Sequence, residues 1–199
     1  MTSPSRQQLR LQLRSQRKAL SPQQQNKASQ ELSRTFTKSA LFTGVRSIAF
    51  YMANDGEIDP IWLMQKALKH NIECYLPVLS PNRKLWFIRY QQADPLYPNG
   101  FGIPEPAKWK PTRKSWALDL ILMPLVAFDR KGGRLGMGGG FYDRSFSWIR
   151  HRPCMRQPKI VGLAHQCQEL ESLTMESWDI PMSYVVTDKE FIRTDTGKH

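Results

Sequence analysis

Residues 132–144 read Gly-Gly-Arg-Leu-Gly-Met-Gly-Gly-Gly-Phe-Tyr-Asp-Arg: six glycines in nine positions, followed at once by two aromatics, an acid and a base. Glycine gives up more backbone freedom on folding than any other residue, so this density marks main chain that must approach something closely. Bare amides flanked by Arg134 and Arg144 suit a phosphate chain. Asp143 would repel phosphates unless a divalent cation lay between them, as magnesium does with nucleotides. The bland alternative is a glycine-rich turn in which Asp143 merely favours a helix dipole. Two general phosphate motifs do not fit. A P-loop needs Lys and Ser/Thr where Gly139 and Gly140 stand, and a dinucleotide fingerprint from Gly136 ends on Phe141.

A second feature could hold anions. Arg6, Arg10 and Arg14 recur at four-residue spacing near the N-terminus, with Arg17 and Lys18 one turn on. Side chains at i and i+4 are neighbours on a helix, so this is a ridge of like charge that an anion would relieve. A solvated surface helix is the competing reading. Histidine and cysteine offer less. His70, His151, His165 and His199 form no metal spacing, and Cys74, Cys154 and Cys167 form no CxxC pair.

The elements that must position these residues alternate. Residues 3–20 read as a helix with Leu9, Leu13 and Leu20 toward one side. Ser21 caps the next, with Pro22 at its first position and Gln24 completing a capping box. Ala28, Leu32 and Phe36 give it a core face. Strands follow at 47–52, 72–78, 85–90, 118–123, 159–164 and 183–187, with helices at 59–70 and 141–150. The strand at 118–123 is expected to run into the glycine loop. Residues 91–116 hold five prolines and little periodicity, which predicts a long ordered loop. Strand–helix alternation predicts α/β: a single three-layer domain over residues 1–199, its mostly parallel sheet flanked by helices, with N-terminal helices (1–40) packed on it.

The chain has 199 residues, 40% of them hydrophobic, so it can bury a core. Twenty-nine Lys and Arg against 17 acids give a charge of +12, which favours anionic partners. No apolar run reaches the ~18 residues of a membrane helix, and no apolar segment follows the charged N-terminus. Sparse cysteines argue for a reducing compartment, hence the cytoplasm.

The segment Arg134-Leu-Gly-Met-Gly-Gly-Gly-Phe-Tyr-Asp-Arg144 resembles the signature of 5-formyltetrahydrofolate cyclo-ligases, also called methenyltetrahydrofolate synthetases. Arg6-Gln-Gln-Leu-Arg10, Ala53-Asn-Asp-Gly-Glu57, Phe101-Gly-Ile-Pro-Glu-Pro106 and Asp119-Leu-Ile-Leu-Met-Pro124 resemble further family segments in the expected order. The resemblance implies a carbon–nitrogen ligase that converts 5-formyltetrahydrofolate to 5,10-methenyltetrahydrofolate, with ATP and Mg2+ as cofactors and ADP and phosphate as products. A phosphoryl group passed to the formyl oxygen makes it a leaving group, and N10 then closes the ring. It implies ATP contacts from Arg6, Arg10 and the loop Arg134, Leu135, Gly136, Met137, Gly138, Gly139, Gly140, Phe141 and Tyr142. Arg134 and Asp143 become catalytic, Asp143 and Asp179 ligate magnesium, and Met52, Glu57 and Phe101 line the folate site. In the family Lys often stands at the Arg6 position, and other members carry Tyr, Lys or Arg where Met137 stands. The expected partner is a small molecule, polyglutamylated 5-formyltetrahydrofolate, bound by a monomer without nucleic acid or membrane. The rival classes are a nucleic-acid binder, which lacks every standard signature, and a phosphosugar or CoA-ester enzyme, which has no use for Glu57.

Overall fold

Two Ser-x-x-Gln sequences start the first helices. In the computed structural model, which describes residues 4–151 and 157–194, Ser5 caps α1 (Arg6–Lys18) and Ser21 caps α2 (Pro22–Thr37). Each hydroxyl accepts from the backbone N–H of a glutamine three residues on, whose side chain accepts from the N–H of the cap in return. The Ser5 box sets the start of α1 at residue 6 rather than 3.

Strands β1 (Ser47–Ala49), β2 (Glu73–Leu79), β3 (Leu85–Tyr90), β4 (Leu96–Pro98), β5 (Pro104–Pro106) and β6 (Thr112–Arg113) occupy the first half. Strands β7 (Leu120–Pro124), β8 (Ala127–Phe128), β9 (Arg134–Leu135), β10 (Lys159–Leu163), β11 (Tyr184–Val186) and β12 (Phe191–Arg193) occupy the second. Helices α3 (Ile61–Lys69), α4 (Phe141–Phe146) and α5 (Trp148–His151) lie between them.

Eight strands form one sheet in the order β12-β11-β10-β7-β1-β2-β3-β6. From β11 to β2 the pairing is parallel, whereas β12 at one edge and β3 and β6 at the other pair antiparallel. Successive strand residues face opposite sides, and both sides are covered. Ile48, Leu120 and Leu122 join Leu32 and Phe36 of α2 and Leu63 of α3. Ala49, Ile121 and Met123 join Phe146 of α4 on the far face. This is the expected three-layer α/β frame.

Four expectations are corrected. Residues 91–116 are not a plain loop: they hold the β4–β5 hairpin and the edge strand β6. Proline-rich strands of two or three residues carry no alternation to read. The strand at 120–124 does not run into the glycine loop, because the β8–β9 hairpin intervenes. The helix at 141 breaks at Ser147 into two short pieces. Finally, β12 is a strand of three residues defined by pairing with β11. Cys74 and Cys167 are free thiols; Cys154 and His199 lie outside the described residues.

The site lies where the chain changes direction. β1 leads to β2 on one side and β7 leads to β10 on the other, although β1 and β7 are adjacent. In open α/β sheets, ligands bind at the carboxyl ends of two such strands. The segment leaving β1 carries Glu57, and the segment leaving β7 carries the glycines.

Candidate active site

Helix α1 closes this crevice. Leu13 is buried against Val126, Ala127 and Leu135 of the β8–β9 hairpin. Arg17 is 0% exposed; it donates to Leu125 O at 2.9 Å, Asp55 O at 2.9 Å and Asp55 Oδ2 at 3.0 Å. Its Nη2 also reaches Met137 Sδ at 3.7 Å. One buried guanidinium thus ties the helix to both segments that leave the strand ends.

The arginine ridge divides by role. Arg14 pairs with Asp55 at 2.7 Å, and Lys18 and Arg17 pair with the same carboxylate. These contacts, Arg14 foremost, hold Asp55 far below the ordinary carboxylate range. The ridge is therefore largely neutralised, across the chain rather than along the helix, and Asp55 is 38 and 41 residues from its arginine partners. Arg6 pairs with Asp179 at 3.0 Å. Arg10 forms no ion pair among the described residues: its Nε donates to Gly136 O at 2.8 Å. Burial and the neighbouring Arg6 charge push the Arg10 guanidinium down, against the opposing pull of the Asp179 carboxylate.

The six glycines serve two structures. Gly132 and Gly133 form the turn of the β8–β9 hairpin, where Asp129 Oδ1 accepts from Lys131 N at 3.0 Å and Gly133 N at 2.8 Å. A Cβ on Gly133 would meet Asp129 Oδ2 at 2.7 Å, so glycine is required there. Gly136, Gly138, Gly139 and Gly140 form the loop before α4. Gly138 has φ +96° and a Cβ there would point at the Arg10 guanidinium, 3.8 Å from Cζ. Bare backbone therefore lies beside the Arg10 guanidinium.

Arg134 and Asp143 close the loop. Arg134 is buried in the hairpin; it donates to Ile180 O at 3.1 Å and to Asp143 Oδ1. Asp143 Oδ1 also accepts from Ile180 N at 3.3 Å. Asp179 Oδ2 accepts from Arg6 and from Glu176 N at 2.9 Å. Each carboxylate so engages one oxygen, leaving Asp143 Oδ2 and Asp179 Oδ1 without a hydrogen bond among the described residues. Two carboxylates with one open oxygen each fit a magnesium ion, which takes few protein ligands and keeps its waters and a bound phosphate. Among the described residues no three His, Cys, Asp or Glu side chains cluster as a closed metal cage.

On the other side of the loop stands Glu57. Its Oε2 accepts from Asn54 N at 3.1 Å, and Oε1 lies 3.9 Å from Arg17 Nη2. Burial pushes its carboxyl up to about 7, against the opposing pull of Arg17. Its charge adds to burial in raising the phenols of Tyr51 and Tyr142. Met52 is half-buried and packs against the core cluster that contains Tyr51. Phe101 is 60% exposed and meets Phe141 edge-on, ring centroids 5.8 Å apart.

The structure brings Arg6, Arg10, the 134–143 segment and Asp179 around one loop, with Glu57 joined to it through Arg17 and Met137. Phe101 joins from the hairpin region through Phe141. Sequence reasoning missed Arg17 and Asp55 as the clasp. A buried arginine on an arginine-rich helix looks like its solvated neighbours, and only the apolar Leu13 one turn before it hinted at burial.

A glycine loop, an arginine without an ion pair among the described residues and half-engaged carboxylates, placed past the carboxyl ends of adjacent strands that lead in opposite directions, suit an α/β enzyme of anionic ligands. Comparison with known proteins makes the class particular: residues 2–188 match the model of the 5-formyltetrahydrofolate cyclo-ligase family, and the chain belongs to that family. The 5-formyltetrahydrofolate cyclo-ligase of Haemophilus influenzae is 40% identical over 92% of this chain and 97% of its own length. The enzyme of the same name from Escherichia coli K12 is 37% identical over 88% and 96%. The solved 5,10-methenyltetrahydrofolate synthetase of Aquifex aeolicus superposes with a TM-score of 0.83 at 29% identity, covering 98% of this chain and 95% of that one. The activity is thus conversion of 5-formyltetrahydrofolate to 5,10-methenyltetrahydrofolate.

Proposed function

We propose that the crevice performs this cyclisation with ATP and magnesium. The observation that carries the reading is the Arg10–Gly136 contact, which spans 126 residues of sequence and sets a guanidinium that has no ion pair among the described residues beside a glycine loop. Arg10 and the amides of Gly138 to Gly140 hold the phosphates, and Arg6 adds charge beside them. Arg134 positions Asp143 by their ion pair. Asp143 and Asp179 hold the metal, which supplies neutralisation of phosphate charge. The rest of the loop (Leu135, Gly136, Met137, Phe141 and Tyr142) wraps the nucleotide, and Met52, Glu57 and Phe101 take the folate. Glu57 accepts hydrogen bonds from the amino-pyrimidine edge of the pterin. The formyl oxygen is then presented to the γ-phosphate. Phosphoryl transfer asks the protein mainly for positioning and charge neutralisation, which suits a site without a Ser, Cys or His nucleophile.

We propose further that residues 1–199 act as one domain, as a cytoplasmic monomer, on polyglutamylated substrate. Among the described residues no helix is long and apolar enough to cross a membrane.

The test is turnover of 5-formyltetrahydrofolate with ATP, read as absorbance of the methenyl product, with and without magnesium. Product that forms equally well in EDTA, or without ATP, overturns the reading. Within it, Arg10→Ala is expected to raise the KM for ATP roughly ten- to hundredfold, since a charge-assisted phosphate contact is worth about 1.5–3 kcal/mol. The KM for the folate should move much less. An unchanged ATP constant would return Arg10 to the role of a loop clamp.

A further inference from the structure

The nitrogens of the buried Arg17 guanidinium divide their contacts between main chain and side chains. Nε donates to Asp55 O and Nη1 to Leu125 O, both at 2.9 Å, so the plane of the group is fixed by the segments that leave β1 and β7. Nη2 faces side chains: Asp55 Oδ2 at 3.0 Å, Met137 Sδ of the glycine loop at 3.7 Å and Glu57 Oε1 at 3.9 Å. The last distance is too long for a hydrogen bond. Glu57 Oε2 is taken by Asn54 N, while Oε1 makes no hydrogen bond among the described residues. Arg17 therefore gives Glu57 a neighbouring positive charge without occupying the oxygen that a ligand would use.

The backbone is shaped for this approach. Gly56, between the two acids, has φ +75°, and a Cβ there would stand 3.3 Å from Lys18 Cγ and 3.4 Å from Arg17 Cγ and Arg17 O. Glycine thus lets the last turn of α1 pack onto the segment that carries Glu57. From α2, Gln25 Nε2 donates to Arg17 O at 3.0 Å and fixes the end of the helix.

Besides Arg17, the titratable groups facing Glu57 among the described residues are Asp55 of its own segment, Tyr51 just past β1 and Tyr142 of α4. Asp59 lines the same cavity of about 480 Å³. Burial raises both phenols, so they stay neutral near pH 7. His165, beside Gly56, is pushed down by burial and is neutral there too. Asp55 is held ionised by its cations. The fixed charges acting on Glu57 are thus Arg17, which favours its carboxylate, and Asp55, which opposes it. We propose that Arg17 is a positioning residue for the cyclisation: clamped on Asp55 O and Leu125 O, it orients the Glu57 carboxylate toward the folate and joins it to the glycine loop at Met137, with Asp55 as the counter-charge that moderates its pull. This inference rests on the reading of Glu57 as the folate acceptor.

The test is the pH profile of kcat/KM for 5-formyltetrahydrofolate at saturating ATP and magnesium, which reports the enzyme before the folate binds. In the wild type it should fall on acidification through about pH 7. Arg17→Met removes the cation, so the inflection should rise by about 1–3 pH units, and activity lost at neutral pH should return on going alkaline. Asp55→Asn removes the opposing charge and should move the inflection the other way, to lower pH. Asparagine suits the backbone there, where φ is +54°. Arg17→Lys keeps the charge but loses the fork: its inflection should stay near that of the wild type while the plateau falls about ten- to hundredfold. An inflection that vanishes in Glu57→Gln yet does not move in Arg17→Met and Asp55→Asn overturns the proposal alone, and makes Arg17 a purely structural clasp. One that persists in Glu57→Gln overturns the acceptor reading and this proposal with it. Should Arg17→Met not fold, an unmoved inflection in Asp55→Asn or a wild-type plateau in Arg17→Lys overturns the proposal by itself.

Discussion

Asp143→Asn is expected to lower turnover by at least two orders of magnitude and to shift the magnesium dependence to higher concentration. Asparagine keeps the shape and one acceptor but loses the anionic oxygen that a hard cation prefers. Neutralising phosphate charge is most of what such a site contributes to the barrier. The structure also sets the expected effect on stability. Asp143 is the counter-ion of buried Arg134, so the variant leaves a guanidinium in the protein interior whose partners among the described residues are the carbonyl of Ile180 and a neutral amide. A loss of about 1–3 kcal/mol is expected, read as a lower Tm at neutral pH. The two effects separate cleanly. A helix-capping role alone would cost well under that and spare turnover. If turnover and magnesium dependence both stay near wild type while Tm falls, Asp143 is a structural partner of Arg134 and leaves the metal to other ligands.

Glu57→Gln should reduce kcat/KM for the folate about a hundredfold, since a buried acceptor built for a donor edge discriminates strongly when its charge is removed. The KM for ATP should change little. A pH signature accompanies the loss. Burial lifts Glu57 from an ordinary value of 4.5 to about 7, so wild-type kcat/KM for the folate should fall on acidification through that pH. The inflection should be absent in the glutamine variant. Stability runs the other way. A carboxyl raised on folding is unfavourable to the fold once it ionises, a cost absent below pH 4.5 and complete above pH 7. Glu57→Gln is therefore expected to gain up to about 3 kcal/mol at pH 8 and nothing at pH 4. A variant that loses affinity and stability together at pH 8 would mean that Glu57 serves as a partner of Arg17, and the folate would need another anchor.

Much of the protein was readable from residue types. Strand and helix follow from runs such as Leu120 to Pro124 and the Ala28, Leu32, Phe36 spacing, because burial on one or both faces dictates local periodicity. Ser21 and Gln24 announced α2 because capping is satisfied within four residues. The signature from Arg134 to Arg144, with Arg10 and Glu57, pointed to the cyclo-ligase family because the chemistry demands specific side chains in order.

What the sequence did not determine is pairing at a distance. The β4–β5 ribbon and β12 exist only because a partner strand supplies hydrogen bonds. The division of the glycines depends on Asp129, which takes the first two for a turn. The fate of the arginines was decided only by folding, since an ion pair depends on separation in space. Asp55 neutralises Arg14 and Arg17 from across the crevice, Asp179 meets Arg6 from 173 residues away, and Arg10 is left with a carbonyl. Helical spacing made the three look alike; packing gave them different work.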